Sequence, residues 1–175
     1  NNPERAESKN LSMIYSILSG KEISQCENEF SATGWGNMHI VTDIGNSQIK
    51  IAIERKKSIS KVKAFRSDDF ISIKKHLKTL DYDNKPDLFY SSVLDTNYNK
   101  KLLKILKPFF EKITAFRSER SLLSTTNSYK KASGLGSDRW AQIVAAKSIF
   151  KMDCLIVSCG SAISIDCVTK NGTHK

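Results

Sequence analysis

A short pattern occurs twice in this chain: an apolar strand, a tight turn on a glycine, and a second strand in which apolar and polar residues alternate. The first copy runs from His39 to Ile53 and the second from Cys154 to Val168. Aligned on their glycines, Asp43 falls on Ser158, Gly45 on Gly160 and Asn46 on Ser161. Ile49, Ile51 and Ile53 keep the two-residue period of a half-buried strand. A glycine at the turn lets the backbone approach an anion with no Cβ in the way, and small polar neighbours supply N–H and O–H donors. Two such turns suit a phosphate chain gripped between two related lobes, which is the architecture of a phosphotransferase.

Composition narrows the setting. A chain of 175 residues fits one domain or two small lobes. With 39% hydrophobic and 26% charged residues, a packed core is expected rather than disorder. No run approaches the ~18 apolar residues of a membrane helix, and the N-terminus lacks the layout of a secretory signal. Cys26, Cys154, Cys159 and Cys167 lack the paired spacing of a zinc site. They read as reduced, mostly buried thiols of a cytoplasmic protein, with a reactive thiol the alternative for Cys159 in the second turn. The net charge of +10 comes from lysines spread along helices and hairpin edges. That spread suits solvated faces and an anionic substrate better than nucleic acid.

Residues 1–37 are Ser-, Glu- and Asn-rich and read as an N-terminal extension of unknown role. Residues 38–131 form the first lobe. After the hairpin, Val62 to Phe65 is expected as a third strand. Ser67-Asp68-Asp69 then caps a helix with Phe70, Ile73, Leu77 and Leu80 on one face. Asp87 to Val93 reads as a buried strand, Asn99 to Lys107 as a lysine-coated helix with Leu102, Leu103 and Leu106 inward, and Ile113 to Phe116 as a short strand. The result is an α/β mixed sheet with flanking helices. Residues 132–175 carry a Gly-rich loop, a helix from Ser137 (its expected cap) through Trp140, Ile143, Val144 and Ile149, and the second hairpin. The chain reaches Lys175 as the second lobe begins, so that lobe is expected to be incomplete. Its strands from Leu155 to Val168 are then expected to expose apolar edges, leaving this piece inactive or poorly soluble alone.

Phosphoryl transfer needs donors around the phosphates, a metal held by a carboxylate, and a group that positions the attacking hydroxyl. Asp43, at the end of the first strand, is the natural carboxylate for Mg²⁺. Gly45, Asn46 and Ser47 are placed to cradle phosphate oxygens, with Lys50 on the outgoing strand; an ordinary hairpin turn uses the same residues. Gly136-Ser137-Asp138-Arg139 sets a candidate base beside a carboxylate-binding guanidinium, as an acceptor with a hydroxyl and a carboxylate requires. An exposed Asp beside a solvated Arg is the competing reading. His39, His76 and His174 are scattered and receive no role, His76 being read as a surface residue.

In the order hairpin, Gly-x-Asp-Arg-Trp loop, hairpin, the chain resembles the type III pantothenate kinases, or Bvg accessory factor family, of the acetate and sugar kinase, heat-shock-70 and actin superfamily. The matching residues are Asp43 to Ser47, Gly136 to Arg139 with Trp140, and Ser158-Cys159-Gly160-Ser161-Ala162 followed by Asp166. The resemblance runs from Met38 to about Asn171. It implies an actin-like, ribonuclease H-like fold of duplicated lobes, and ATP-dependent phosphorylation of pantothenate to 4'-phosphopantothenate, the first step of coenzyme A synthesis. It implies Asp138 as general base, with Gly136, Ser137, Asp138 and Arg139 binding pantothenate and Arg139 taking its carboxylate. Asp43 would serve Mg²⁺, and Gly45, Asn46, Ser47, Lys50, Gly160, Ser161 and Ala162 the nucleotide. A monovalent cation (K⁺ or NH₄⁺) and a homodimer are implied as well.

Ser158 stands where the family has Asp, removing a carboxylate near the phosphates or the monovalent cation. This favours an alternative reading, a catalytically impaired relative acting as a binding or transcription accessory protein. A third reading keeps the kinase and changes the acceptor to another hydroxy acid or a sugar.

Overall fold

The computed structural model describes residues 38–55, 58–60, 62–82, 84–160 and 162–175. The extension 1–37 and Ser161 lie outside them. In chain order the strands are β1 (His39–Ile44), β2 (Gln48–Arg55), β3 (Ser58–Ile59), β4 (Lys63–Arg66), β5 (Asp87–Ser92), β6 (Ile113–Ala115), β7 (Ser121–Leu122), β8 (Thr125–Thr126), β9 (Cys154–Cys159) and β10 (Ile163–Val168). Helices α1 (Phe70–Lys78) and α2 (Thr96–Leu106) follow β4 and β5, and α3 (Ser137–Phe150) precedes β9.

The main sheet runs β3-β2-β1-β5-β6, with β4 also on β2. β1 and β2 are antiparallel, whereas β1, β5 and β6 are parallel and joined by helical crossovers. An antiparallel hairpin feeding parallel strands through helices is the actin-like, ribonuclease H-like lobe.

Both faces of this sheet are covered, and the pleat decides which residue goes where. Ile40 and Ile44 of β1 and Ile49 and Ile51 of β2 join Ile73 and Leu77 of α1 and Leu102 and Leu106 of α2 in one core. Val41 and Ala52 point the other way, into a second core with Trp140, Ile143 and Val144 of α3 and Val168 of β10. α3 lies between the sheet on one side and the β9–β10 hairpin on the other. Its Ala141, Ala145 and Ala146 are buried with Trp140, small residues that allow close approach on both sides.

Local chemistry sets the helix ends. Asp69 caps α1 by accepting from the Ser72 N–H at 3.0 Å. Asp95 caps α2 through the Asn97 and Tyr98 N–H groups, so α2 begins at Thr96 rather than Asn99. Pro108 then tightens the chain into a 3-10 turn over Lys107–Phe109. Ser137 is not a cap: the cap position of α3 is Gly136, and the Ser137 hydroxyl is used elsewhere. The strand expected at Val62 to Phe65 is β4, one residue later, while β3 and the β7–β8 hairpin were not foreseen. The cysteines also depart from expectation: Cys159 is exposed and Cys154 and Cys167 are only partly buried.

Candidate active site

The first turn lies at the C-terminal end of β1. The Gly45 N–H donates to the Gln48 carbonyl at 2.9 Å, and four residues, 45–48, separate the last strand pair, Ile44 and Ile49. Ser67 braces the turn: its hydroxyl donates to the Asn46 carbonyl at 2.8 Å and its N–H to the Ser47 carbonyl at 3.1 Å. Asn46 and Ser47 are exposed. Asp43 is partly buried and pairs in register with Lys50 on β2 and Ser91 on β5. Asp43 is two residues beyond Val41, so it shares the face of the sheet that carries α3. A single carboxylate beside a phosphate-sized turn suits Mg²⁺, which takes one or two protein carboxylates and completes its shell with phosphate oxygens and water. Among the described residues there is no cluster of three or more His, Cys, Asp or Glu residues placed as metal ligands.

The start of α3 is brought to this edge by two serines. The Ser137 and Ser91 hydroxyls lie 2.8 Å apart, both buried, and the Ser137 hydroxyl also donates to the Ser92 carbonyl at 3.3 Å. Asp43 and Asp138 therefore meet the same seam from opposite sides, through Ser91 and Ser137. Gly136 makes room for the acid: a Cβ there would sit 2.6 Å from Asp138 Oδ1.

The other flank of the helix start is clamped by β10. Arg139 Nε donates to Asp166 Oδ2 at 2.9 Å and Nη2 to Asp166 Oδ1 at 2.6 Å, a bidentate pair. Asp166 is 3% exposed, and His174 Nε2, itself on a buried side chain, lies 3.1 Å from Oδ1. Burial by itself would raise the Asp166 pKa, but hydrogen bonds and charge from Arg139 and His174 outweigh it and hold the carboxyl below its usual value. The Asp166 hydrogen bonds in turn raise the Arg139 pKa. Arg139 Nη1 reaches the Tyr129 hydroxyl at 3.3 Å, and Tyr129 stacks on His174 with ring centroids 5.9 Å apart.

The loop that presents Tyr129 is built rather than slack. Arg120 donates to the carbonyls of Asn127, Tyr129 and Lys130. Buried Asn127 donates to Glu119 and Ala132 and accepts from the Tyr129 N–H. The Ser128 hydroxyl closes on the His174 carbonyl.

In the second turn the Gly160 N–H donates to the Ala162 carbonyl at 3.1 Å, and three residues, 160–162, separate the pair Cys159 and Ile163. It is thus one residue tighter than the first turn. Gly160 and Ala162 are exposed, and Ser161 is outside the described residues. Ser158 is partly buried, and its hydroxyl accepts from Gln142 Nε2 of α3 at 3.4 Å.

Ser137 and Arg139 thus tie the main sheet, through Ser91 of β5, to the second hairpin, through Asp166 of β10. Ser91, Tyr129 and His174 were not singled out from sequence. Asp166 was seen only as the acid that follows the second motif. The spacing of the second motif was the one available signal for Asp166; the others meet Ser137 and Arg139 across long chain separations.

A Gly-turn hairpin, a carboxylate at its strand end and an Asp-Arg helix start lie on one actin-like lobe. The type III pantothenate kinase family model matches residues 39–175, and the chain belongs to that family. A type III pantothenate kinase of Pseudomonas syringae pv. syringae is 30% identical over 139 residues, covering 78% of this chain and 55% of that one. The chain spans about half the length of curated kinases such as that of Thiobacillus denitrificans, where the share is 53%. Over 36 residues the chain is 72% identical to a tryptophan--tRNA ligase of Prochlorococcus marinus subsp. pastoris, covering 21% of this chain and 11% of the ligase. Among solved structures, a Bacteroides thetaiotaomicron protein with an actin-like ATPase fold aligns over 53% of this chain and 37% of that one, with a TM-score of 0.39 and 14% identity. Among the described residues no helix is long and apolar enough to cross a membrane.

Proposed function

We propose that the full-length protein phosphorylates the hydroxyl of pantothenate with ATP, yielding 4'-phosphopantothenate at the start of coenzyme A synthesis. The observation that carries this reading is the Ser91–Ser137 contact, which brings the Asp-Arg helix start of a pantothenate kinase family member to the edge that holds Asp43 and the Gly45 turn. Asp138 takes the proton of the attacking hydroxyl and Arg139 binds the acceptor carboxylate. Gly45, Asn46, Ser47 and Lys50 on one side, and Gly160, Ser161 and Ala162 on the other, hold the nucleotide phosphates. Mg²⁺ at Asp43, when bound, neutralises charge on those phosphates.

The reading includes a monovalent cation (K⁺ or NH₄⁺), a homodimer and a cytoplasmic setting. It also divides the chain into an extension (1–37), a first lobe (38–131) and a segment (132–175) that opens the second lobe. The match to a tryptophan--tRNA ligase is about as long as the extension, and we assign it to that segment.

The test is pantothenate-dependent ADP release by the full-length protein with Mg²⁺ and K⁺, beside Asp138→Ala. Release that the substitution abolishes is the expected result. A folded protein without release would favour the second reading, a binding or transcription accessory protein. Ser158 in place of the family Asp, held by Gln142, is the observation on that side.

A further inference from the structure

Arg139 is the group assigned to the acceptor carboxylate, yet its strongest contacts are to another carboxylate. The bidentate pair with Asp166 occupies the Nε–H and one N–H of Nη2. A guanidinium has five N–H donors in a planar fork. Tyr129 takes one of the remaining three, through Nη1 at 3.3 Å. One N–H on each of Nη1 and Nη2 is left, and the Nη1–Nη2 edge is the carboxylate-binding edge that Asp166 does not occupy.

Resting on the pantothenate reading above, we propose that Asp166, backed by His174, is a positioning residue for acceptor recognition: it grips the Nε–Nη2 edge of Arg139 and so presents the Nη1–Nη2 edge to the acceptor carboxylate. Three observations support it. Asp166 is almost fully buried and is itself anchored, since His174 Nε2 donates to Oδ1. Among the described residues His174 Nδ1 is buried without a hydrogen-bond partner, so Nε2 is the ring nitrogen that engages a carboxylate, that of Asp166. His174 is fixed by the chain on both sides: its N–H donates to the Thr126 carbonyl at 3.0 Å and its carbonyl accepts from Ser128.

The Arg139–Asp166 pair is formally neutral, so Asp166 subtracts from the charge that attracts an anionic acceptor. Its contribution is therefore orientation. A guanidinium on a long, partly exposed side chain otherwise loses rotamer freedom when it binds, and a preorganised fork avoids that cost. Orientation and charge predict opposite signs for removal of Asp166, which makes the inference decidable.

The experiment compares pantothenate with its neutral amide on full-length wild type, Asp166→Asn, Arg139→Lys and the double variant, with thermal melts of each. The neutral amide keeps the hydroxyl and lacks the carboxylate. Asp166→Asn is expected to raise KM for pantothenate about tenfold while KM for ATP and for the amide move by less than about twofold. In the Arg139→Lys background it is expected to add nothing further. A fall in KM for pantothenate, an equal loss on both acceptors or on ATP, or an additive double variant would each overturn the inference. If Asp166→Asn does not fold, His174→Gln decides: a selective rise of about threefold supports the inference, and an unselective change sinks it. A folded wild type that turns over neither acceptor removes the reading beneath it, an outcome distinct from a variant that stays selective.

Discussion

The hydroxyls of Ser91 and Ser137 lie 2.8 Å apart in the buried seam between the end of β5 and the start of α3. Ser137 also donates to the Ser92 carbonyl, whereas the fully buried Ser91 hydroxyl depends on Ser137. Through this contact the strand that pairs with β1 at Asp43 is fixed to the helix that begins with Asp138.

Removing one member of that pair strands the other. Ser137→Ala is expected to cost about 1–3 kcal/mol, because the Ser91 hydroxyl is left buried without its partner. The double variant Ser91→Ala/Ser137→Ala is expected to cost less than the sum of the singles, since both polar groups then leave together. Urea unfolding of the four proteins measures this, and strict additivity would refute the coupling.

Gly136 separates stability from turnover. Its backbone, with φ of −57°, suits any residue, so alanine adds no backbone strain. The new Cβ would meet Asp138 Oδ1 at 2.6 Å, and the flexible carboxylate would swing aside at little cost. Gly136→Ala is therefore expected to leave the melting temperature nearly unchanged while lowering kcat by about 10- to 100-fold, the penalty of a misplaced catalytic group. Unchanged kcat would show that Asp138 works from another position.

Acid is expected to release the Arg139 clamp. The folded pKa of Asp166 lies below its unfolded value, about 3.9 for an ordinary Asp. A depressed carboxyl pKa contributes stability that is complete above the unfolded value and is lost as pH falls through the folded one. Wild type should thus be more stable than Asp166→Asn at neutral pH, with the gap closing below about pH 4. Thermal melts from neutral pH downward check the sign; a gap that widens in acid would contradict it.

Much of the fold is written in local pattern, and much of the site is not. Alternation at Ile49, Ile51 and Ile53 marked β2, and the spacing of Ile73 and Leu77 marked the buried side of α1, because burial and period coincide there. The start of α2 was misplaced because Asp95, not the first leucine, sets it. The β7–β8 turn gave no signal, since Leu123 and Ser124 take positive φ (45° and 59°) where Gly or Asn is usual. The motifs pointed to Asp43, Gly45, Asp138 and Arg139. Their supports, Ser91 for Ser137 and Asp166 for Arg139, act over 46 and 27 residues of chain, a separation that no local periodicity encodes.

Gly172 holds the segment that carries His174. Its φ is +88°, and a Cβ there would lie 1.8 Å from the Ser124 carbonyl oxygen, a backbone atom that cannot turn away. Gly172→Ala is expected to cost more than about 2 kcal/mol, from left-handed strain and the forced separation of the β7–β8 turn. Hydrogen exchange at the Thr126 and His174 amides, which bond the Gly172 and Thr126 carbonyls, should rise with it. Wild-type protection in a stable variant would mean that the segment is held by other contacts.

The outer face of the β9–β10 hairpin is expected to govern self-association of this 175-residue chain. Leu155, Val157, Ile163 and Ile165 are 69%, 56%, 72% and 63% exposed, while the opposite face, with Ile156 and Val168, packs on α3. Contiguous apolar surface of this kind drives association. Val157 and Ile165 stand directly opposite each other, so Val157→Lys with Ile165→Glu replaces an apolar pair by an ion pair without disturbing the ladder. Sedimentation velocity is expected to show the chain self-associating and the double variant monomeric, with stability changed by no more than about 0.5 kcal/mol. A double variant that associates as strongly as the parent would place the sticky surface elsewhere on the molecule.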